Sequence, residues 1–390
     1  MQSTSPRPRL LFVMAMIPTK IGGLEQFLRA LTVRLDAAGW DTILCFDGVI
    51  SAEFQQYFDL PFVTLEVVHG QEGIGLGARR QLWSLLRRHR PQIFVYAFNS
   101  VLRIFPWIAR LAGCRRIFFN DHSSRAQGVV PAPLALHKRL ISRLLTSPLT
   151  GIVSVSNFTR RSGKAYGLCT APNIVVPNGI EVQPFDEARR TEFRSRYGIA
   201  PEALVVTQVC WMTQVKGVDV LLSAAKTLLR DHPSLRFLMV GGGDKLNDYR
   251  ALAQQLGIAE GVLFTGIISD PVGAGVFAAT DIYCQASLWQ EASGLAVLEA
   301  MSMRRPVVAS DTGGLPENVL RDRTGLLVTP NNSEELAQAI DRLVRAPDLR
   351  RSMGDAGREE VLQNHQVHNT VNRYVELLLQ YDWSAAESSR

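Results

Sequence analysis

The chain reads as an α/β protein made of two parallel-sheet domains that face each other across a cleft. Three observations predict this. At 390 residues it exceeds what a single core usually fills. Short apolar runs alternate with amphipathic helical segments along its whole length, the rhythm of parallel α/β folds. The segment VPNGIE (residues 176–181) then sets Pro beside Asn-Gly, a turn after which the rhythm restarts. A first domain over residues 1–179 and a second over 180–369 follow. An apolar share of 46% with 20% charge suits a folded α/β chain rather than a disordered or fibrous one.

The elements follow in order. Leu10–Met16 is a continuous apolar run and the expected first strand. Arg7 and Arg9 before it imitate a signal peptide. The run is short, however, Lys20 interrupts it, and Gly22-Gly23 and an amphipathic helix come next, so the strand reading is preferred. Further strands are expected at Thr42–Phe46, Ile93–Ala97, Arg116–Phe119, Gly151–Val155 and Asn173–Val176. Helices are expected at Leu24–Ala38, Leu76–Arg90, Leu102–Ala112, Pro133–Leu145 and Phe158–Tyr166. In the second half, strands fall at Leu204–Val209, Arg236–Val240, Val262–Phe264, Ile282–Cys284, Pro306–Ala309 and Gly325–Val328. Helices fall at Val218–Arg230, Tyr249–Leu256, near Gly294–Met303 and at Glu334–Arg345, where Leu336, Ile340, Leu343 and Val344 share one face. A last helix, Thr370–Leu379, is expected to pack back on the first domain, so that residues 370–383 join 1–179. Residues 384–390 are expected to be a disordered tail.

Composition excludes several classes. Five cysteines without a CxxC read as buried free thiols in a reducing, cytoplasmic setting. No stretch approaches the roughly 20 apolar residues of a membrane span. Charge is uneven: residues 1–180 hold 21 Lys/Arg against 9 Asp/Glu (net +12), and residues 181–390 hold 21 against 27 (net −6). Such asymmetry points the first half at something anionic. Finger spacings and RNP-like aromatic stretches are missing, so nucleic acid is not the expected partner. An anionic lipid-linked acceptor or the inner face of a membrane fits better, and ordinary solvated arginines are the plain alternative. The helix at 76–90 sharpens the choice without closing it. It carries Arg79, Arg80, Arg87, Arg88 and Arg90 beside Leu82, Trp83, Leu85 and Leu86, which suits an anionic membrane as well as a sheet-packed helix with a basic outer face.

The densest chemical signal is SLWQEASGLAVLEAM (residues 287–301), with Glu291 and Glu299 eight residues apart. A turn of small residues, Ala292-Ser293-Gly294, leads into a helix. The unpaired N–H groups of Gly294 and Leu295 at its start, helped by the helix dipole, would meet a diphosphate. Glu299 lies about one turn further, roughly 6–8 Å along, where its carboxylate could accept ribose hydroxyls. Glu291 precedes the turn and would face a sugar beyond the phosphates. A surface helix with two solvated glutamates is the alternative on spacing alone. Gly22-Gly23 lies between strand and helix and permits close backbone approach, or merely a tight turn. His122, in NDHSS (120–124) after an expected strand, is either a structural histidine or a hydrogen-bond donor in a cleft.

These segments, with RPVVASDTGGLPE (305–317) and TGLLV (324–328), resemble the donor site of GT-B glycosyltransferases of family 4, whose E-x7-E pattern Glu291 and Glu299 match. Ordered matches run along most of the chain: GGLE (22–25), VSNFT (155–159), VPNGI (176–180), Lys216-Gly217, VGGG (240–243) and FTG (264–266). The resemblance implies two Rossmann-like domains and metal-independent, retaining transfer of sugar from a nucleotide-diphosphate donor to a hydroxyl acceptor, with no cofactor. It implies that Gly22 and Gly23 bring amides to the donor phosphates and that His122 sits near the donor sugar. Lys216 becomes a diphosphate-binding cation, Gly266 and Ile267 a base-reading loop, and Ser293, Gly294, Leu295 and Glu299 further donor contacts. With no acid placed as a nucleophile, His122, Glu291 and Lys216 carry the expected chemistry. No D-x-D, HExxH or cysteine cluster suggests a metal, and the Gly241–Gly243 run fits neither the ATP nor the NAD fingerprint.

One position departs from the pattern. Where the family shows Gly-Arg shortly before the lysine, this chain has Cys210-Trp211, and an indole cannot supply an arginine's bidentate grip. Ala286 likewise replaces a usual proline. Two competing functions remain, a GT-B-fold nucleotide-sugar epimerase and a non-catalytic nucleotide-sugar-binding protein.

Overall fold

The computed structural model describes residues 6–18, 21–71, 75–124, 135–165 and 171–383. Two all-parallel sheets form. The first comprises β1 (Arg9–Met14), β2 (Asp41–Phe46), β3 (Val63–Val67), β4 (Ile93–Ala97), β5 (Arg116–Asp121), β6 (Gly151–Ser154) and β7 (Asn173–Val175), in spatial order β3-β2-β1-β4-β5-β6-β7. The second comprises β8 (Val205–Val209), β9 (Arg236–Val240), β10 (Val262–Gly266), β11 (Ile282–Gln285), β12 (Val307–Ser310) and β13 (Gly325–Val328), in order β10-β9-β8-β11-β12-β13.

Helices α1 (Gly23–Ala37), α2 (Ala52–Tyr57), α3 (Leu76–His89), α4 (Phe105–Leu111), α5 (Leu136–Thr146) and α6 (Asn157–Ala165) belong to the first sheet's connections. After β7 come α7 (Glu187–Arg196), α8 (Val218–Asp231), α9 (Leu246–Gln255), α10 (Val276–Ala279), α11 (Leu295–Ser302), α12 (Leu315–Asn318), α13 (Ser333–Arg345), α14 (Pro347–Asn364) and α15 (Val367–Leu379).

Strand periodicity divides the cores. Leu10, Phe12 and Met14 point to the face covered by α1 and α15, through Leu28, Leu31, Leu377 and Leu378. Leu11 and Val13 point to the other, covered by α3 and α4 through Leu82, Leu86 and Ala109. Burial on both faces is why these strands read as unbroken apolar runs. Each such leucine contributes about 1.5–3 kcal/mol. In the second sheet, α8, α9 and α13 cover one face with Leu221, Leu228, Tyr249 and Ile340, and α11 and α14 cover the other with Leu298, Met301 and Val361.

The last helix packs back on the first sheet, as the sequence suggests. Phe27 of α1 meets Tyr374 of α15 edge-on at 5.4 Å, and Trp383 lies over Phe118 at 5.4 Å. Between the sheets the chain crosses twice, and the crossings are tied together. Ile180 N donates to His365 O at 2.9 Å, and Val367 N donates to Ile180 O at 2.9 Å.

Some elements differ from the sequence reading. Helix α14 is not among the elements expected from the sequence; its Gly354 and Gly357, poor helix formers in themselves, let it close on its neighbours. A Cβ on Gly354 would lie 2.1 Å from Arg304 O. Helix α7 was masked by its charge. Its Arg194 is buried, donating to the backbone carbonyls of Ala203 and Ala279 and pairing with Asp281 at 2.7 Å. Strand β3 is only half-buried and lacks the apolar run of its neighbours. Helix α4 starts at Phe105 rather than Leu102, because Pro106, lacking an N–H, belongs in a first turn. The expected helix at 133–145 runs over Leu136–Thr146, and residues 133 and 134 lie outside the described residues, as do Tyr166, Lys20, Cys169 and the tail 384–390.

Candidate active site

In each sheet the strand order reverses once, between β1 and β4 and between β8 and β11. Ligands of open parallel sheets bind outside the carboxyl ends of the strands flanking such a point. The loop after β1 carries Gly22 and Gly23, the loop after β8 carries Trp211 and Lys216, and the loop after β11 carries Glu291, Ser293 and Gly294. His122 follows β5 and Ile267 follows β10. Topology thus gathers every sequence-identified residue at the carboxyl ends of the two sheets.

The centre is an ion pair. Lys216 Nζ lies 2.6 Å from Glu291 Oε1, and the same oxygen accepts from Ser287 Oγ at 2.6 Å and Gln285 Nε2 at 3.5 Å. Lys216 ends a 3-10 turn (Gln214–Lys216), and Gln208 Nε2 donates to its carbonyl at 2.7 Å. Gly217 follows with φ +62°, and a Cβ there would lie 1.9 Å from Ala286 O. Glycine is required, because the lysine loop is pressed against the glutamate loop. On the other side of Glu291, Gly314 N donates to its carbonyl at 2.7 Å.

Helix α11 starts at Leu295, with Gly294 as its N-cap at φ +95° and no side-chain cap. No side chain therefore caps the amides of Leu295 and Ala296, which stay open to a ligand or water, whereas Val297 N donates to Gly294 O at 3.1 Å. Ser293 is buried, its carbonyl accepting from Asn318 Nδ2 at 2.7 Å. Glu299 is buried one turn into the helix, and its Oε1 accepts from Gly23 N at 3.2 Å. Gly22 N donates to Glu25 Oε2 at 2.9 Å. Both amides of the glycine pair are thus directed at carboxylates in this arrangement, one of them across the two domains. That differs from the expectation that they face phosphates, and it follows from how closely α1 approaches α11. A Cβ on Gly23 would sit 3.2 Å from Leu295 Cδ2.

His122 stacks on Phe98, ring centroids 4.7 Å apart, and Phe98 itself has φ +57°. The histidine's Nε2 is buried without a hydrogen-bond partner, and burial pushes its pKa down to about 4. A neutral ring with an unpaired buried nitrogen is costly, by about 1–3 kcal/mol. Such a cost is offset when a ligand hydroxyl meets that atom. Gly266, φ +74°, accepts from Gly241 N at 2.9 Å through its carbonyl, and the Ile267 side chain is exposed beyond it.

The sequence reading gave no role to Glu317. Its carboxylate accepts from Asn157 N at 2.7 Å, Phe158 N at 2.6 Å and Asn157 Nδ2 at 3.2 Å. An acid from the second domain thereby caps α6 of the first, a favourable match of anion and helix N-terminus. Ser287, Gln285 and Phe98 were likewise missed as supports. Ser287 and Glu317 lie inside quoted motifs, whereas nothing local marks Phe98. Among the described residues no group of three or more His, Cys, Asp or Glu side chains is arranged to hold a metal ion.

Residues 21–184 match the model of Glycosyltransferase Family 4, and residues 189–360 match that of Glycosyl transferases group 1. The chain is 32% identical over 304 residues to a GDP-mannose-dependent alpha-(1-6)-phosphatidylinositol monomannoside mannosyltransferase of Mycolicibacterium smegmatis, covering 75% of this chain and 78% of that one. It is 28% identical over 372 residues to the protein of the same description from Mycobacterium tuberculosis, covering 90% and 93%. In structure it is similar to a glycosyltransferase of Rickettsia africae, with a TM-score of 0.78 at 20% identity over 97% of this chain and 100% of the other.

Proposed function

The chain belongs to the family 4 glycosyltransferases of GT-B fold, and from that membership we propose that it transfers mannose from GDP-mannose to a hydroxyl of a lipid-linked acceptor, with retained anomeric configuration and no metal. The observation that carries this reading is the Lys216–Glu291 pair at 2.6 Å beside the uncapped start of α11. It brings together a cation and helix amides suited to a leaving diphosphate, next to a carboxylate able to hold sugar hydroxyls, and so supports the reading. The GDP-mannose dependence of the mycolicibacterial relative supports the choice of donor.

In the proposed step the bond from the anomeric carbon to the diphosphate oxygen breaks as the acceptor oxygen bonds to the same face of that carbon. The acceptor's proton passes to the departing diphosphate. Lys216 and the α11 amides stabilise the negative charge that develops, Glu291 orients donor hydroxyls, and His122 donates from its neutral ring. Closure of the domains keeps out the water that would otherwise hydrolyse the donor.

The first domain supports docking on an anionic membrane, through α5 as well as α3. In α5 the small polar residues Ser142 and Thr146 are buried, and Leu136, Leu140, Ile141 and Leu144 are exposed beside Lys138, Arg139 and Arg143. In α3 the exposed Trp83 is flanked by Arg80, Arg87 and Arg88. Exposed apolar stripes edged with cations suit a lipid surface. No helix among the described residues is long and apolar enough to cross a membrane.

The test is GDP release from GDP-mannose by purified protein, with and without phosphatidylinositol in mixed micelles, with and without EDTA. Lipid-stimulated release unaffected by EDTA, giving an α-linked product by NMR, is expected. A β-linked product, or loss of turnover in EDTA, overturns the mechanism. Release from a UDP-sugar instead overturns the donor. Trp211 in place of an arginine favours one other reading, a non-catalytic binder. That reading requires donor binding with no turnover.

A further inference from the structure

The reading of a nucleotide-sugar site leaves the exposed indole of Trp211 without a role. Strands β10, β9 and β8 are adjacent, so the loops leaving their carboxyl ends are neighbours. Those loops present Ile267, Gly242 and Trp211. Trp211 is 51% exposed and Ile267 58%, two large apolar side chains open to solvent at the carboxyl end of the sheet, where ligands of such folds bind. Gly242 lies between them: a Cβ there would sit 2.6 Å from Ile267 Cγ1 and 3.9 Å from Trp211 Cζ3.

The platform is held on stiff backbone. Cys210 N donates to Val240 O at 3.0 Å, Met212 N to Gly242 O at 2.7 Å, and Thr213 N to Trp211 O at 2.8 Å. Cβ atoms on Gly241 and Gly243 would fall 1.9 Å from Cys210 O and 2.5 Å from Met212 O, so the two loops stack backbone on backbone. The same loop continues into Lys216, whose N–H donates to Thr213 O at 3.1 Å. A flat apolar surface therefore stands a few residues from the cation assigned to the phosphates.

We propose that Trp211 is the stacking surface for the nucleoside base of the donor, with Ile267 flanking the base across Gly242. This rests on the nucleotide-sugar reading above and adds a base-binding contact to it. An indole cannot grip phosphate as a guanidinium does, but it offers a π face and a desolvated area to any planar heterocycle. Binding energy moves from the phosphates to the base, and that part of it is insensitive to salt.

The experiment is calorimetric titration of the full chain with GDP and UDP, in wild type, Trp211→Ala and Trp211→Phe, at about 0.05 M and 0.5 M salt. Trp211→Ala is expected to weaken the nucleotide that binds by about tenfold or more, by a similar factor at both salts, with an unchanged melting temperature. Trp211→Phe should restore most of the affinity, and nucleotide should quench more indole fluorescence in wild type than in Trp211→Phe. Wild-type affinity in Trp211→Ala overturns the proposal and leaves the donor site intact. So does a loss that Trp211→Phe does not restore, since that would make the indole a support for the loop. If wild type binds neither GDP nor UDP, the nucleotide-sugar reading falls, and the stacking proposal with it.

Discussion

Replacing Glu291 with Gln separates what the carboxylate does for the fold from what it does for the reaction. Its Oε1 receives Lys216 Nζ, Ser287 Oγ and Gln285 Nε2, with side-chain exposures of 13% for Glu291 and 25% for Lys216. Two unit charges about 4 Å apart interact by about 4 kcal/mol at an effective dielectric near 20. Breaking a fully buried pair costs about 3–5 kcal/mol. Solvent reaches this lysine, and the amide keeps the hydroxyl contact, so a loss of about 2 kcal/mol is expected. For a unit of this size that lowers the melting temperature by about 4–8 °C. Lys216 is then released toward the cleft, so GDP affinity should hold or rise. Turnover should fall about 100-fold, as donor hydroxyls lose their anchor. Paired measurements of GDP binding by calorimetry and GDP release from GDP-mannose test this. Undiminished turnover with a lowered melting temperature would show that the pair is structural and refute the assignment.

Three further outcomes follow from the geometry. Gly217→Ala should destabilise by about 3 kcal/mol or more, since it combines a strained φ with a clash on Ala286 O, whereas Gly257→Ala, at φ +71° with open space around it, should cost only about 1–2 kcal/mol. Urea melts of the two variants test the contrast, and equal losses would refute the close approach of the lysine and glutamate loops. Glu317→Gln should loosen the two domains by weakening the cap on α6. A larger radius of gyration in solution scattering and a joint change in kcat and KM are expected, and wild-type values of all three would remove Glu317 as an interdomain tie. His122 titrates near 4 when folded and near 6.5 when unfolded, so the unfolded chain takes up its proton first. Its contribution is complete above about pH 6.5 and is lost as pH falls toward 4; buried His365, also shifted down, acts in the same direction. Melting temperatures across pH 4–7 (about one unit apart) should decline less steeply in His122→Asn than in wild type, and parallel curves would contradict a ring held neutral by its surroundings.

Much of the architecture was legible in the sequence, because strands buried on both faces tend to be continuous apolar runs, and the runs within Arg9–Met14 and Ile93–Ala97 announce themselves that way. So did the site's inventory, since glycines at strand-to-helix turns and an acid pair at fixed spacing are local facts. Elements whose burial depends on a distant partner were hidden. Helix α14 closes through Gly354 on Arg304 and Gly357 on Met301, α7 buries an arginine against Asp281, and β3 is half-buried at a sheet edge.

Pairings were hidden too. Nothing in the spacing of Lys216 and Glu291, 75 positions apart, says that they touch, nor that Gly23 donates to Glu299 across 276. Nor does local sequence show that Glu317 caps a helix of the other domain, that Phe98 stacks on His122, or that Trp211 stands beside Ile267. Composition and periodicity act over a few neighbours and determine which segments become strands and helices. The reversal of strand order at β1/β4 and β8/β11, which brings distant loops to one cleft, is a property of the closed chain, and it decides which side chains meet.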